Sequence, residues 1–121
     1  MIIRANQLPE TVQEPRPLAL KRVINIDEHT EQISVTWARL WGHHDRVVNH
    51  ISDRAYYVIE GTARFQVGDS TPIERVSAGD FVFIPRDVPY EFEGEMIYIV
   101  MNGPAYRADS DEVLPRTFPQ D

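Results

Sequence analysis

The sequence predicts an all-β fold: one barrel of short antiparallel strands with almost no helix. Three observations carry it. Runs rich in β-branched and aromatic residues recur at intervals of roughly 8–12 residues. Turn signals containing glycine separate them, at Gly42, Gly61, Gly68, Gly79 and Gly94. Apolar residues follow the helical period nowhere over a useful length. A jelly roll is one closed arrangement of such strands, and closure removes the exposed edges that invite aggregation.

Taken in order, residues 1–17 carry Pro9, Pro15 and Pro17. Proline fixes φ and removes a backbone donor, so this segment reads as an arm with short edge-strand pieces at most. It lies on its own barrel or crosses to a partner. Residues 18–26 (LALKRVINI) form a strand, and the polar residues 27–30, including His29, form a turn. Residues 32–41 (QISVTWARLW) alternate, with Ile33, Val35 and Trp37 on one face, and Gly42 is expected to end that strand. Residues 56–60 and 62–67 read as two strands joined by a tight turn at Glu60-Gly61. Shorter strands follow at 73–76, 81–84, 90–92 and 96–101, with Glu93-Gly94-Glu95 between the last two. Residues 104–121 hold one short helical turn from Asp109 to Leu114, capped by Asp109 or Ser110 and stopped by Pro115 and Pro119. The organisation expected is an arm (1–17), a barrel (18–103) and a tail packed on or beside it (104–121).

The chain has 121 residues, a size that fits one domain. There is no cysteine, which excludes disulfides and thiolate ligands and is compatible with a reducing, cytoplasmic setting. No segment approaches the ~20 apolar residues of a membrane helix, and the N-terminus has no signal-peptide run. The net charge is −7, with 19 acidic and 12 basic residues. The basic residues are scattered singly, so nucleic acid is not expected as a partner.

The glycine spacing carries more. Gly42-x5-Val48-x-His50-x3-Arg54-x6-Gly61 is similar to the first cupin motif, G-x5-H-x-H-x3,4-E-x6-G. Gly79-x5-Pro85-x-Asp87-x2-Tyr90-x3-Gly94 resembles the second, G-x5-P-x-G-x2-H-x3-N. The resemblance spans residues 32–101 and implies a double-stranded β-helix, often a homodimer, with a pocket inside the barrel. The positions where metal-binding cupins carry ligands hold Val48, His50, Arg54 and Tyr90. Valine has no donor atom and arginine is a permanent cation, so the standard metal centre is not expected.

In the family's register His50, Arg54 and Tyr56 face the cavity, joined by Tyr90 and Phe92. His50 would transfer a proton with Tyr90 as its partner, while Arg54 anchors an anionic group and Tyr56 and Phe92 line the pocket. Alternatively, His50 only satisfies a polar neighbour and Arg54 a local carboxylate. Trp37 and Trp41 share a face and serve as core or as an aromatic wall for the ligand. His43 and His44 are loop histidines, or His44 joins His50 and Asp45 or Asp53 in a shifted metal site holding a divalent transition metal. Three functions stay open at this level. One is metal-free acid–base chemistry such as isomerisation or epimerisation of a small polar or anionic molecule. The others are non-catalytic ligand binding or sensing, and a metal-dependent oxygenase, isomerase or lyase.

Overall fold

The computed structural model describes residues 1–119. Eight strands lie among them, in one antiparallel sheet coiled into a barrel: β1 (Thr11–Val12), β2 (Leu18–Ile24), β3 (Ser34–Asn49), β4 (Asp53–Val67), β5 (Glu74–Ser77), β6 (Phe81–Ile84), β7 (Tyr90–Gly103) and β8 (Asp111–Val113). The strand order is β1-β2-β3-β7-β4-β5, with β6 on β4 and β8 on β3. Each long strand serves two neighbourhoods. The first half of β3 pairs with β2 and its end with β8; the start of β4 pairs with β6 and its end with β5. That sharing of long strands between two half-sheets gives a double-stranded β-helix. No described helix is long and apolar enough to cross a membrane.

Three breaks expected from glycine do not occur. β3 runs through Gly42, β4 through Gly61 and β7 through Gly94. Gly61 follows a one-residue bulge between Val58 and Glu60 and adopts φ 87°. A Cβ there would run into the Glu95 carbonyl, so this Glu-Gly pair lets two backbones cross closely instead of reversing the chain. Gly61→Ala is expected to destabilise the fold by more than ~1 kcal/mol, because it adds positive-φ strain and a backbone clash. A urea midpoint equal to that of the parent would contradict this.

The bulges also set which residues face inward. On β4, Arg54, Tyr56 and Val58 are inside before the bulge, and Ala63 and Phe65 after it. On β3, Ala38, Leu40 and His44 precede a second bulge between His44 and Val47; Val47 and Asn49 follow. β7 has no such irregularity and keeps Tyr90, Phe92, Met96, Tyr98 and Asn102 buried. An aromatic block fills the barrel. Phe65 and Phe92 stack at 4.4 Å, and Tyr56 meets Phe65, Phe92 and Tyr98 at 5.2–5.5 Å. Such pairs add about 0.5–1.5 kcal/mol each beyond the area they bury.

The arm lies along its own barrel, with Thr11 and Val12 paired to Leu20 and Ala19. The tail departs from expectation. Residues 111–113 are strand β8, not a helical turn. The end of β3 offers unpaired backbone groups there, and Val47, Val48 and Asn49 take up Val113, Glu112 and Asp111.

Candidate functional site

The inner wall of the barrel ends in a polar group built from β3, β4, β7 and β8. Arg54 is its centre and is nearly fully buried. Its Nη2 donates to Asp111 Oδ1 at 2.9 Å, Nη1 to Tyr90 Oη at 2.5 Å, and Nε to Asn102 Oδ1 at 3.2 Å. Tyr90 Oη in turn shares a hydrogen bond with Tyr56 Oη at 2.6 Å. Burial pushes both phenols above their usual range, although the guanidinium beside Tyr90 works the other way. Both tyrosines therefore keep their protons at neutral pH. Asp111 is further held by Asn49 Nδ2 at 2.9 Å.

His44 lies against this group. Its ring stacks on Phe92 at 4.3 Å and on Tyr90 at 6.3 Å. Burial drives its pKa down to about 4, against the opposing pull of the Asp45 carbonyl and the Asp111 and Asp45 carboxylates. His44 Nδ1 is 2.8 Å from the Asp45 carbonyl oxygen. A carbonyl only accepts, so Nδ1 carries the proton and Nε2 keeps a free lone pair. A cavity of about 260 Å³ opens beside it, lined among others by His44, His43, Asp111, Tyr106 and Arg16. The site therefore offers a neutral imidazole base at a cavity wall, backed by two neutral phenols and one caged cation.

Several expected positions need correction. Arg54, Tyr56, Tyr90 and Phe92 do face inward, but Tyr56, Tyr90 and Phe92 belong to the packed interior and do not line the cavity. Arg54 has spent its donors on protein groups and is not free to hold an anion. His50 lies outside the barrel, exposed, with Nδ1 2.6 Å from Asp87 Oδ1 and Nε2 3.3 Å from Glu112 Oε1. The extra residue in the β3 bulge causes this. It turns Val47 and Asn49 toward the barrel interior, where unbroken alternation would have placed Val48 and His50; Val48 is buried all the same, outside the main core cluster, and His50 is left exposed. The hydrogen bonds that His50 donates to Asp87 and then Glu112 raise its pKa. Trp37 and Trp41 alternate with buried Ala38 and Leu40 and so stand on the outer face, beneath Lys21 at 4.7 Å and Arg39 at 4.8 Å.

The residues do not fit a metal ion. The permanent cation of Arg54 and the phenol of Tyr90, in contact with each other, occupy the places of two family ligands. The shifted set is not assembled either: His44 is inside, His50 outside, and Asp53 is bound to Arg86. No group of three or more candidate ligands converges among the described residues.

The sequence reading missed Asp111, Tyr106 and Glu91. Asp111 lies 57 residues from Arg54 and reaches it only because β8 docks on β3. The available signal was physical: a buried guanidinium requires a carboxylate. Glu91 is fully buried and accepts from Thr117 and Phe118 of the tail, with His43 Nε2 2.5 Å away. His43 is thereby turned from the barrel interior toward the tail, although its side chain still touches the cavity rim.

Known proteins bear on this geometry. A nucleoside dehydratase from Streptomyces superposes with a TM-score of 0.78 at 16% identity, over 94% of this chain and 90% of its own. The polyketide cyclase RemF from Streptomyces resistomycificus gives 0.77 at 18% identity, over 97% and 87%. An RmlC-like cupin from Shewanella frigidimarina gives 0.72 at 20%, over 88% and 91%. These likenesses are of fold. No curated protein matches the chain in sequence. The Cupin_2 model, a cupin domain, matches residues 42–102. That range runs from Gly42 through the strands that carry His44, Arg54, Tyr90 and Asn102, and the chain is a member of the cupin domain family.

Proposed function

We propose that the chain is an enzyme that moves a proton on a small polar molecule held in the barrel mouth, with His44 as base. The observation that carries this is the free Nε2 lone pair of a half-buried, neutral His44 at the cavity wall. His44 takes the proton from a carbon next to a carbonyl. Tyr106, which lines the same cavity, gives its proton to the oxygen that gains charge or leaves as water, while Tyr90, held by Arg54 and Tyr56, backs the His44 ring. The Arg54 guanidinium lies 5.8 Å from the Tyr106 ring centre and offsets part of the cost of forming that phenolate. Isomerisation and dehydration share these first steps.

The fold relatives support this reading. The Streptomyces dehydratase has been solved with uridine in variants that replace a histidine by glutamine or either of two tyrosines by phenylalanine. Its two tyrosines are thirty-four residues apart, as Tyr56 and Tyr90 are here. Its histidine precedes the first tyrosine by thirteen residues. That is the spacing of His43 and one residue more than that of His44. We assign the base to His44 because its ring faces inward while His43 is tied to Glu91.

Proton abstraction is read by deuterium uptake. In heavy water, nucleosides and sugars that carry a carbonyl are expected to gain deuterium at the adjacent carbon. His44→Gln should abolish this and Tyr90→Phe should slow it. His43→Gln and His50→Ala should leave it unchanged. Uptake that survives in His44→Gln would refute the assignment, and loss in His43→Gln would transfer it.

We also infer a cytoplasmic homodimer. The outer face of the sheet exposes Phe81 at 69%, Phe83 at 62% and Ile33 at 49%, beside an apolar groove floored by Val35, Ala55 and Met101. A knob next to a hole on one face is self-complementary about a two-fold axis. Phe83→Glu is expected to halve the mass measured by light scattering. A parent protein that already runs as a monomer would end this idea.

A further inference from the structure

The cavity at His44 has a neighbour. A second pocket, about 510 Å³, lies further along the same inner face of β2 and β3, where Arg22 pairs with Thr36. Tyr106 lines both pockets and is the one lining residue they share. The inner face of β3 runs continuously from Ser34 and Thr36 in the second pocket, past the small Ala38, to Leu40 and His44 in the first. The two pockets therefore adjoin at Tyr106, with Arg22 and Arg107 in one and the base in the other.

The charges are unevenly used. Among the described residues, most arginines of this acidic chain have a carboxylate partner; Arg4, Arg22, Arg75 and Arg107 have none. Two of these four, Arg22 from β2 and Arg107 from the segment after β7, line the second pocket together. Asp27 and Glu31 line it as well, yet neither reaches ion-pair distance of either arginine. A guanidinium with an open fork suits bidentate binding of a phosphate or carboxylate. Arg54, the cation that sequence spacing favoured for that task, is already occupied by Asp111, Tyr90 and Asn102.

We propose that the pocket between Arg22 and Arg107 is an anion subsite, which holds a phosphate or carboxylate of the substrate while its reacting carbon lies at His44 across Tyr106. This rests on the acid–base reading of the His44 cavity and narrows the substrate class to anionic molecules long enough to pass the tyrosine. Binding energy at the remote anion would orient the reacting end, so that removing either arginine weakens substrate capture more than the chemical step.

The test separates the two readings. Nitrogen-15-labelled protein is titrated with inorganic phosphate and, separately, with acetate, following the amide and arginine side-chain signals by NMR. Saturable shifts at Arg22, Arg107 and Tyr106 are expected. Arg22→Gln and Arg107→Gln should each weaken binding about tenfold, as expected for the loss of one hydrogen-bonding charge. Arg75→Gln, an equally unpaired arginine elsewhere, should have no effect, and neither should His44→Gln. A preference for phosphate over acetate would identify the substrate's anion as a phosphate, and the reverse as a carboxylate. Absence of saturable shifts, or binding that persists in the Arg22→Gln/Arg107→Gln double variant, would overturn the subsite. Loss of deuterium uptake in His44→Gln would be unaffected by that result. Conversely, phosphate binding that persists beside unimpaired uptake in His44→Gln would overturn only the base.

Discussion

Arg54→Met is expected to cost about 3–5 kcal/mol of folding stability, the range for breaking a buried ion pair by removing one partner. Methionine fills much of the arginine stem's volume, so lost packing contributes little. What remains is a set of groups arranged around a missing cation. Asp111 is only 22% exposed, Tyr90 and Tyr56 are buried, and Asn102 loses the one donor that its oxygen accepts. The Asn102 Nδ2 already has no partner, so this side chain would be wholly unsatisfied. Asp111 can recover some hydration by letting β8 lift from β3, which limits the cost and names the element that should loosen. Asp111→Asn in the Arg54→Met background removes the stranded charge and is expected to recover part of the stability. The checks are urea unfolding of the two variants and amide exchange of residues 111–113. A loss below ~1 kcal/mol for Arg54→Met would mean that the pair is solvated.

What could be read from the chain and what could not divide along one physical line. Glycine spacing, strand-rich segments and the absence of helical period are local, and they led to the barrel and to its family. Bulges are not local. Gly61 and Gly94 look like turn glycines because a positive φ serves a hairpin and a close strand crossing equally well. The single extra residue in β3, after His44, puts His50 on the opposite face, so that His44 lines the cavity and His50 stands on the surface. Nothing in the stretch from His43 to His50 marks where the bulge falls. The face of Trp37 was misjudged for a related reason. The outer surface of this sheet is itself apolar, so the more hydrophobic set, with Ile33, Val35 and Trp37, is the outward one, while Ser34 is buried. Alternation identifies a strand but does not assign its sides when both are apolar. The partners of Arg54 and Glu91 come from the tail, where short range offers no signal.

The acid sensitivity of the fold should be traceable to His44. Its pKa is 6.5 in an ordinary setting and about 4 in the folded protein, because the charged form would have to sit among Phe92, Tyr90 and the barrel wall. Between those two values the unfolded chain binds the proton and the folded one does not. Stability therefore falls as pH drops from about 6.5 toward 4, by about 3 kcal/mol at 1.36 kcal/mol per pKa unit. His50 works in the opposite sense: its raised folded pKa adds stability at low pH that is lost as pH rises through that value. The parent and a His44→Gln variant both keep His50, so its contribution cancels in their difference. The expected result is that the parent loses about 3 kcal/mol more than His44→Gln between pH 7 and pH 4, measured by urea unfolding at each pH. Parallel stability curves would show that His44 is hydrated and titrates normally. The same depressed pKa governs the chemistry. A base that stays unprotonated down to about pH 4 should hold deuterium uptake level from pH 7 to pH 5, where an unperturbed imidazole would already be losing it. Replacing it by glutamine should reduce uptake by about 10²–10⁴-fold, the usual contribution of a positioned base. A profile that bends near 6.5 would point instead to a solvated histidine, and the pairing of a flat stability difference with that bend would reject His44 on both counts.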